Sequence, residues 1–218
     1  MSTEEHIKIN VDNVTKTFRG PGGKSVEAVA WADFIVRRGE FLVILGPSGC
    51  GKSTLLRIVA GLEEATSGNV YVDGVRVEKP GADRGMVFQS YTSFPWLTVE
   101  KNIEFGLRLR CAATGDRREA VEHYLAATGL TEFRSTYPKD LSGGMQQRVA
   151  IARTMANAPE VLLMDEPFGA LDAQTRWEMQ ELLLKVWSET EITVLFVTHD
   201  VEEAVFLAAT CLRRVPGG

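Results

Sequence analysis

Residues 46–54 read GPSGCGKST, directly after the apolar run FLVIL at 41–45 and directly before LLRIVAGL. Small residues carry the chain out of a strand-like run, and a lysine stands where a helix starts. Gly46, four residues, then Gly51-Lys52-Ser53 is the spacing of a phosphate-binding loop. The ligand explains the residue types. The β oxygens of a triphosphate need several backbone N–H groups pointing inward, and side chains obstruct that approach. Glycine supplies the positive φ angles such a nest requires. The helix that follows turns unpaired N–H groups and a positive dipole end toward the phosphates. Lys52 adds a point charge toward the β and γ phosphates, and the Ser53 hydroxyl is suited to ligate Mg²⁺. A plain glycine-rich turn before a helix is the competing reading, and the full spacing in a strand–loop–helix context argues against it.

Composition sets the bounds around this loop. A chain of 218 residues suits one globular domain with two lobes, and 44% hydrophobic with 24% charged residues suits a soluble protein with a real core. Lys+Arg total 24 against 29 for Asp+Glu, a net charge of −5. That balance speaks against a dedicated nucleic-acid binder, which carries a basic surplus. No stretch offers the ~20 apolar residues that span a bilayer. The acidic, polar start MSTEEHIKIN is unlike a secretory signal. Cys50, Cys111 and Cys211 are widely spaced and odd in number, which fits neither a disulfide framework nor a zinc pattern and points to a reducing, cytoplasmic setting.

Periodicity organises the rest. Ile7, Ile9 and Val11 alternate with polar residues, GPGG at 20–23 punctuates, and SVEAVAWADFIV at 25–36 is extended. Leu55, Leu56, Val59 and Leu62 recur at helical spacing, with Gly61 as a stop. GNVYVDGVRV at 68–77 reads as a hairpin turning at Asp73-Gly74, and RGMVFQ at 84–89 as a short buried strand. Helical patterns follow in TVEKNIEFGLRLR, in GDRREAVEHYLAATGL and from about 143 to 157. Strands return at VLLMD (161–165) and TVLFVT (193–198), separated by an amphipathic helix around Met179, Leu182, Leu183 and Val186. The expected fold is α/β: a phosphate-loop core with a mainly parallel sheet, an N-terminal antiparallel β lobe and an inserted α-helical lobe. Within a single domain of 1–218, residues 1–91 and 158–218 form the nucleotide-binding core with its β lobe, and 92–157 the helical lobe.

Two further motifs carry chemistry. In VLLMDEP, four apolar residues form a buried strand and Asp165 emerges at its carboxyl end, where ligands bind in open α/β sheets. Asp165 is placed to hold Mg²⁺ through water, and Glu166 to orient and deprotonate an attacking water. By itself an Asp-Glu pair is a solvated strand end, and the phosphate loop in the same chain tips the reading. LSGGMQQR at 141–148 is a helix start with Ser142 as N-cap. A serine hydroxyl, a Gly-Gly backbone and a helix N-terminus also make a second anion site. Two phosphate-binding termini far apart in one sequence suggest a site shared between two copies.

These elements, with Gln89 after MVF, FGALDAQTR and VTHD in the same order, resemble the ATP-binding subunit of ABC transporters over nearly the whole chain. MVFQSYTSFPWLTVEKNIEFGL and HDVEEAVFLA are most similar to importers of nitrate, sulfonates or taurine. The resemblance implies an ATP hydrolase that uses ATP and Mg²⁺. It places Gly46, Pro47, Ser48, Gly49, Cys50, Gly51, Lys52, Ser53 and Thr54 around the phosphates, with Cys50 structural rather than redox-active, and puts Phe18 where an aromatic stacks on adenine. It assigns Ser53, Gln89 and Asp165 to the metal. It assigns Glu166, His199, Lys52 and Gln89 to catalysis, with His199 reaching the γ-phosphate and Gln89 relaying nucleotide state to the helical lobe. Ser142, Gly143 and Gly144 are to meet the γ-phosphate held by a second copy, and Asp172 to lie across the seam. His6 and His123 gain no such support.

The implied partners are a second copy in an ATP-dependent head-to-tail dimer, integral membrane permease subunits and, indirectly, an extracytoplasmic solute-binding protein, with no nucleic acid. The implied location is the cytoplasmic face of the membrane. Rival readings are a soluble ATPase of the same family acting on nucleic acid or ribosomes, and an ATP-binding switch without efficient hydrolysis. Paired cassettes or long coiled-coil insertions would mark the first, and neither is present in these residues. Intact Glu166 and His199 oppose the second. Met145 replaces the usual glutamine of the signature, so no polar nucleotide contact is assigned there. The ending AATCLRRVPGG also departs from the family: either CLRRV is a last strand, or the chain is truncated or altered. Finally, Tyr91, Phe94 and Trp96 cluster beside Pro95 at the start of the helical lobe. At least one of Phe94, Trp96 and Leu97 is expected to be exposed as a docking surface for the transmembrane subunit.

Overall fold

The computed structural model describes residues 6–20, 23–90 and 92–214, with backbone only for 211–214. In chain order the elements are β1 (Ile7–Arg19), β2 (Ser25–Arg37), β3 (Phe41–Leu45), α1 (Lys52–Ala60), β4 (Ser67–Val72), β5 (Val75–Arg76) and β6 (Arg84–Val87). Then come α2 (Val99–Leu109), α3 (Thr114–Ala127), α4 (Gly143–Met155), β7 (Val161–Asp165), α5 (Ala173–Glu189), β8 (Thr193–Thr198) and α6 (Val201–Arg214).

Two sheets result. The first has the order β2-β1-β4-β5, and every pairing in it is antiparallel. The β4–β5 turn uses Asp73 at φ 49° and Gly74 at φ 75°, the two positive angles of the tight hairpin that an Asp-Gly pair favours. The second sheet has the order β3-β8-β7-β6, all parallel. β7 and β8 lie inside it and are buried along their whole length, which is why both read as unbroken apolar runs. Alternation divides their side chains between two cores. Leu162, Met164, Val194 and Phe196 pack with Phe168, Met179 and Leu183 on one face. Val161, Leu163, Leu195 and Val197 pack on the other with Leu56 and Val59 of α1 and with Ile9, Val11 and Val36 of the antiparallel sheet. The β lobe is thereby fused to the nucleotide core through α1.

The helical lobe has its own core of Val99, Ile103, Val121, Leu125, Leu130 and Leu141. α4 belongs to both lobes. Its Val149, Ala152 and Ala156 enter the helical core, while Ala150, Ile151 and Met155 enter the core of the parallel sheet. A lobe boundary near 157 falls just after the end of α4, a helix that packs against both cores.

Of the two readings of the ending, the strand is corrected. Residues 211–214 (CLRR) are not a strand but the last turn of α6. Between Val201 and Arg214 no glycine or proline interrupts a stripe that buries Ala204 and Leu207, so nothing stops the helix earlier. Pro21, Gly22 and Tyr91, named above, lie outside the described residues.

Candidate active site

β3 delivers the chain to the phosphate loop, and the loop ends where α1 begins. Gly51 is the N-cap of α1 at φ 96° and supplies no side-chain cap. The first N–H groups of α1 thus have neither a preceding turn nor a capping oxygen to bond. Glycine is obligatory at this position. A Cβ on Gly51 would lie 1.8 Å from the Ala28 carbonyl oxygen of β2, so β2 presses directly on the loop's backbone. Gly49 is also left-handed, at φ 82°. Cys50 is exposed, and its sulfur packs across the loop where a Cβ on Gly46 would come within 3.0 Å. Pro47, Ser48 and Gly49 are exposed at the tip, while Ser53 and Thr54 are half-buried at the helix start.

Lys52 is buried, and its ammonium donates to the Gly46 and Pro47 carbonyls at 2.7 and 2.8 Å. The same ammonium is 3.6 Å from Glu166 Oε1. Ser53 Oγ donates to Asp165 Oδ1 at 2.6 Å, across 112 residues of sequence. Asp165 ends β7 only 4% exposed.

Glu166 is the hub. It is 9% exposed and sits at φ 45°, an angle a residue with a Cβ adopts at a cost of about 1–3 kcal/mol. Its N–H is held by the Val197 carbonyl at 2.9 Å. That turn aims the carboxylate back at three groups from three other segments. His199 Nδ1 lies 2.9 Å and Gln89 Nε2 3.3 Å from Oε2, and Lys52 faces Oε1. Gln89 reaches it because Val87 pairs with Met164, so the two chains leave neighbouring strands at the same level. His199 and Gln89 are themselves exposed, so the hub opens to solvent on that side.

The remaining expected residues lie elsewhere. Ser142 is exposed and caps α4, its Oγ accepting from the Met145 N–H at 3.3 Å. Gly144 is buried against α5, where a Cβ would stand 2.3 Å from Thr175 Cγ2. Asp172 is exposed and caps α5, accepting from Thr175 N at 3.1 Å and Thr175 Oγ1 at 2.7 Å. The Thr175 hydroxyl bond holds the Asp172 carboxyl below its ordinary range. Ser142, Gly143, Gly144 and Asp172 are linked through Thr175. Phe18 is 40% exposed on β1 and pairs with Val26, two residues along β2 from the Ala28 carbonyl that touches Gly51. Lys16 lies over its ring at 4.7 Å.

Three supports were not read from sequence. Asn102 is fully buried, and its Nδ2 donates to the Phe94, Leu97 and Thr98 carbonyls while its Oδ1 accepts from Phe94 N at 2.8 Å. This fixes the turn that presents Trp96, which is 70% exposed. Phe94 is half-buried against Phe105 at 4.5 Å, with Arg153 over its ring at 4.8 Å. Arg176 donates to Asp200 Oδ2 at 2.7 Å and to the Leu171 carbonyl at 3.2 Å, clamping the segment after His199 to the start of α5. An Asn four residues into a helix and an Arg inside one carry no signal of their own.

A glycine-rich loop leading into a helix with no side-chain cap, a buried lysine and a Ser–Asp pair at the carboxyl ends of a parallel sheet define a phosphate-loop nucleotide-binding domain. The family model described as ABC transporter matches residues 30–169. The chain is similar to the uncharacterized ABC transporter ATP-binding protein MJ0412 of Methanocaldococcus jannaschii, at 54% identity over 93% of this chain and 75% of that protein. It is similar to the nitrate import ATP-binding protein NrtD of Synechocystis sp., at 52% identity over 93% of this chain and 76% of that protein. The taurine import ATP-binding protein TauB of Pelagibacter ubique is 49% identical over 89% of this chain and 74% of that protein. Among solved structures, the ATP-binding cassette MJ0796 in a dimeric post-hydrolysis state bound to ADP and Pi superposes with a TM-score of 0.80. It shares 37% identity over 91% of this chain and 90% of that one. The chain belongs to the ABC transporter ATP-binding family, and its phosphate-loop site binds nucleotide.

Proposed function

We propose that this chain hydrolyses ATP to power import of a small solute, with Glu166 as the general base. One observation carries the reading: a strained, buried carboxylate is held by Lys52, Gln89 and His199, within one hub beside the phosphate loop. Such a carboxylate is oriented for one task, taking the proton of a water that attacks the γ-phosphorus. Lys52 turns from its own loop carbonyls toward the β and γ phosphates. His199 hydrogen-bonds the γ-phosphate and keeps Glu166 in place. Phe18 offers its exposed face to adenine, beside the loop backbone. Catalysis by this arrangement is positioning and charge stabilisation.

The donor set fits Mg²⁺. Asp165, the Ser53 hydroxyl and the Gln89 carboxamide are hard oxygen ligands with one carboxylate among them, as suits an ion that takes most of its shell from phosphate and water. When bound, that ion neutralises charge on the β and γ oxygens. Among the described residues no group of three or more His, Cys, Asp and Glu is gathered as a protein-only metal cage.

Ser142, Gly143 and Gly144, far in sequence from the phosphate loop, serve the nucleotide of a second copy, with Asp172 at the seam. The dimeric state named for the MJ0796 cassette supports this. The importers among the relatives support transport over a nucleic-acid or ribosomal role, with nitrate or taurine as candidate solutes. On this reading the chain sits on the cytoplasmic face of the membrane beneath separate permease subunits, with a solute-binding protein acting through them. Trp96 is the docking contact. Trp96→Glu is expected to leave folding and ATPase activity intact while transport in reconstituted complex stops; continued transport would remove Trp96 from the interface.

The catalytic test is Glu166→Gln. Bound ATP is expected at wild-type affinity and steady-state phosphate release at about a hundredth of wild type or less. Turnover near the wild-type rate would refute the assignment of the base.

A further inference from the structure

Gln147 on α4 is fully buried, yet among the described residues neither its carboxamide oxygen nor its nitrogen has a hydrogen-bond partner. Burying both ends of an amide unpaired costs on the order of 1–3 kcal/mol each, and a leucine of similar volume would avoid it. The packing of α4 gives the level at which the amide meets the sheet. A Cβ on Gly85 in β6 would lie 2.5 Å from Thr154 Cγ2, and one turn earlier Ala150 and Ile151 share a cluster with Val87. One further turn toward the start of α4 brings Gln147 to the level just past Val87, where residues 88–90 leave the sheet. Gln89 reaches Glu166 from this stretch. The chain then returns along α4, for Arg153 donates to the Thr92 carbonyl at 2.6 Å and to the Thr92 hydroxyl at 2.9 Å. The hydroxyl of Ser93, the next residue, is another buried group without a partner among the described residues.

We infer that Gln147 is a positioning residue: its carboxamide latches the backbone of residues 88–90 to α4 when nucleotide is bound, and so sets Gln89 against Glu166. The amide supplies both a donor and an acceptor to that peptide stretch, and the Ser142–Gly144 turn lies three to five residues before it, at the start of α4. A shift of α4 by the partner's nucleotide is thereby passed to the base. This rests on the hydrolytic role given above for Glu166.

The test is Gln147→Leu. The variant is expected to melt at or above the wild-type temperature and to bind ATP with unchanged KM. Its kcat should be about tenfold lower or more. With a non-hydrolysable ATP analogue bound, the backbone amides of residues 88–90 should exchange faster than in wild type, while those of α1 stay equally protected. A Gln147→Leu protein with kcat within twofold of wild type overturns the proposal, because the amide is then a passive buried group. So does a kcat loss that only tracks a loss of folded protein. If Leu does not fold, Gln147→Met carries the same readouts. If the wild type itself does not hydrolyse ATP, the hydrolytic reading fails, and the exchange comparison still decides whether the latch exists.

Discussion

α1 and α4 both begin on glycine-rich turns, and they begin in opposite ways. α1 starts at Gly51, which has no side chain to offer its first N–H groups, and no acidic residue stands in its first turn. α4 starts at Ser142, whose hydroxyl already accepts from Met145, and its Gly144 is pressed against Thr175 of α5. The first end is open because its ligand is the cap. The second is closed by its own serine and keeps only part of its N–H array for an outside anion. Glycine serves a different purpose in each. At α1 it permits a backbone angle and a backbone contact, and at α4 it permits two helices to touch.

That contrast predicts unequal responses to the same small change. Gly51→Ala should be the severe one. The new Cβ meets the Ala28 backbone at 1.8 Å with φ at 96°, and neither atom is at the end of a flexible side chain. A stability loss of about 3 kcal/mol or more is expected in urea unfolding, together with loss of ATP binding. Normal stability and binding would mean that the β lobe yields freely, contrary to its fused core. Gly144→Ala should be milder, about 1–2 kcal/mol, because the obstacle is a methyl group at 2.3 Å with an ordinary helical backbone. Replacing Thr175 by Ser in the same chain removes that methyl and keeps the hydroxyl bond to Asp172, so most of the stability should return. Absence of rescue would show that Gly144 is needed for something other than contact with Thr175.

The same two ends show what was legible beforehand. GPSGCGKST could be read because phosphate binding by backbone leaves a spacing of glycines, a lysine and a serine that few other needs produce. VLLMDEP was legible because a doubly buried strand must be apolar throughout, and the acidic pair marks its carboxyl end. Ser142 as a cap followed from the residue type. The packing use of Gly144 did not, since nothing local announces Thr175, which is thirty-one positions later. Asn102 and the Arg176–Asp200 clamp were hidden for the same reason: their partners are main-chain or side-chain atoms brought near only by the fold. The end of α6 stayed open between alternatives because a short CLRRV segment suits a strand as well as a helix, and only continuity with the buried stripe of Ala204 and Leu207 decides residues 211–214.

The central claim is that the α1 end is a complete half-site and the α4 end is the other half, offered to a second copy. It is tested by the mass of the Glu166→Gln protein in solution, where ATP binds and is not consumed. Light scattering should give a monomer without nucleotide and a dimer when ATP and Mg²⁺ are added, and Ser142→Trp in the same chain should hold it monomeric with ATP still bound. A Glu166→Gln protein that stays monomeric with ATP saturating, at protein concentrations where related cassettes would pair, contradicts the shared site.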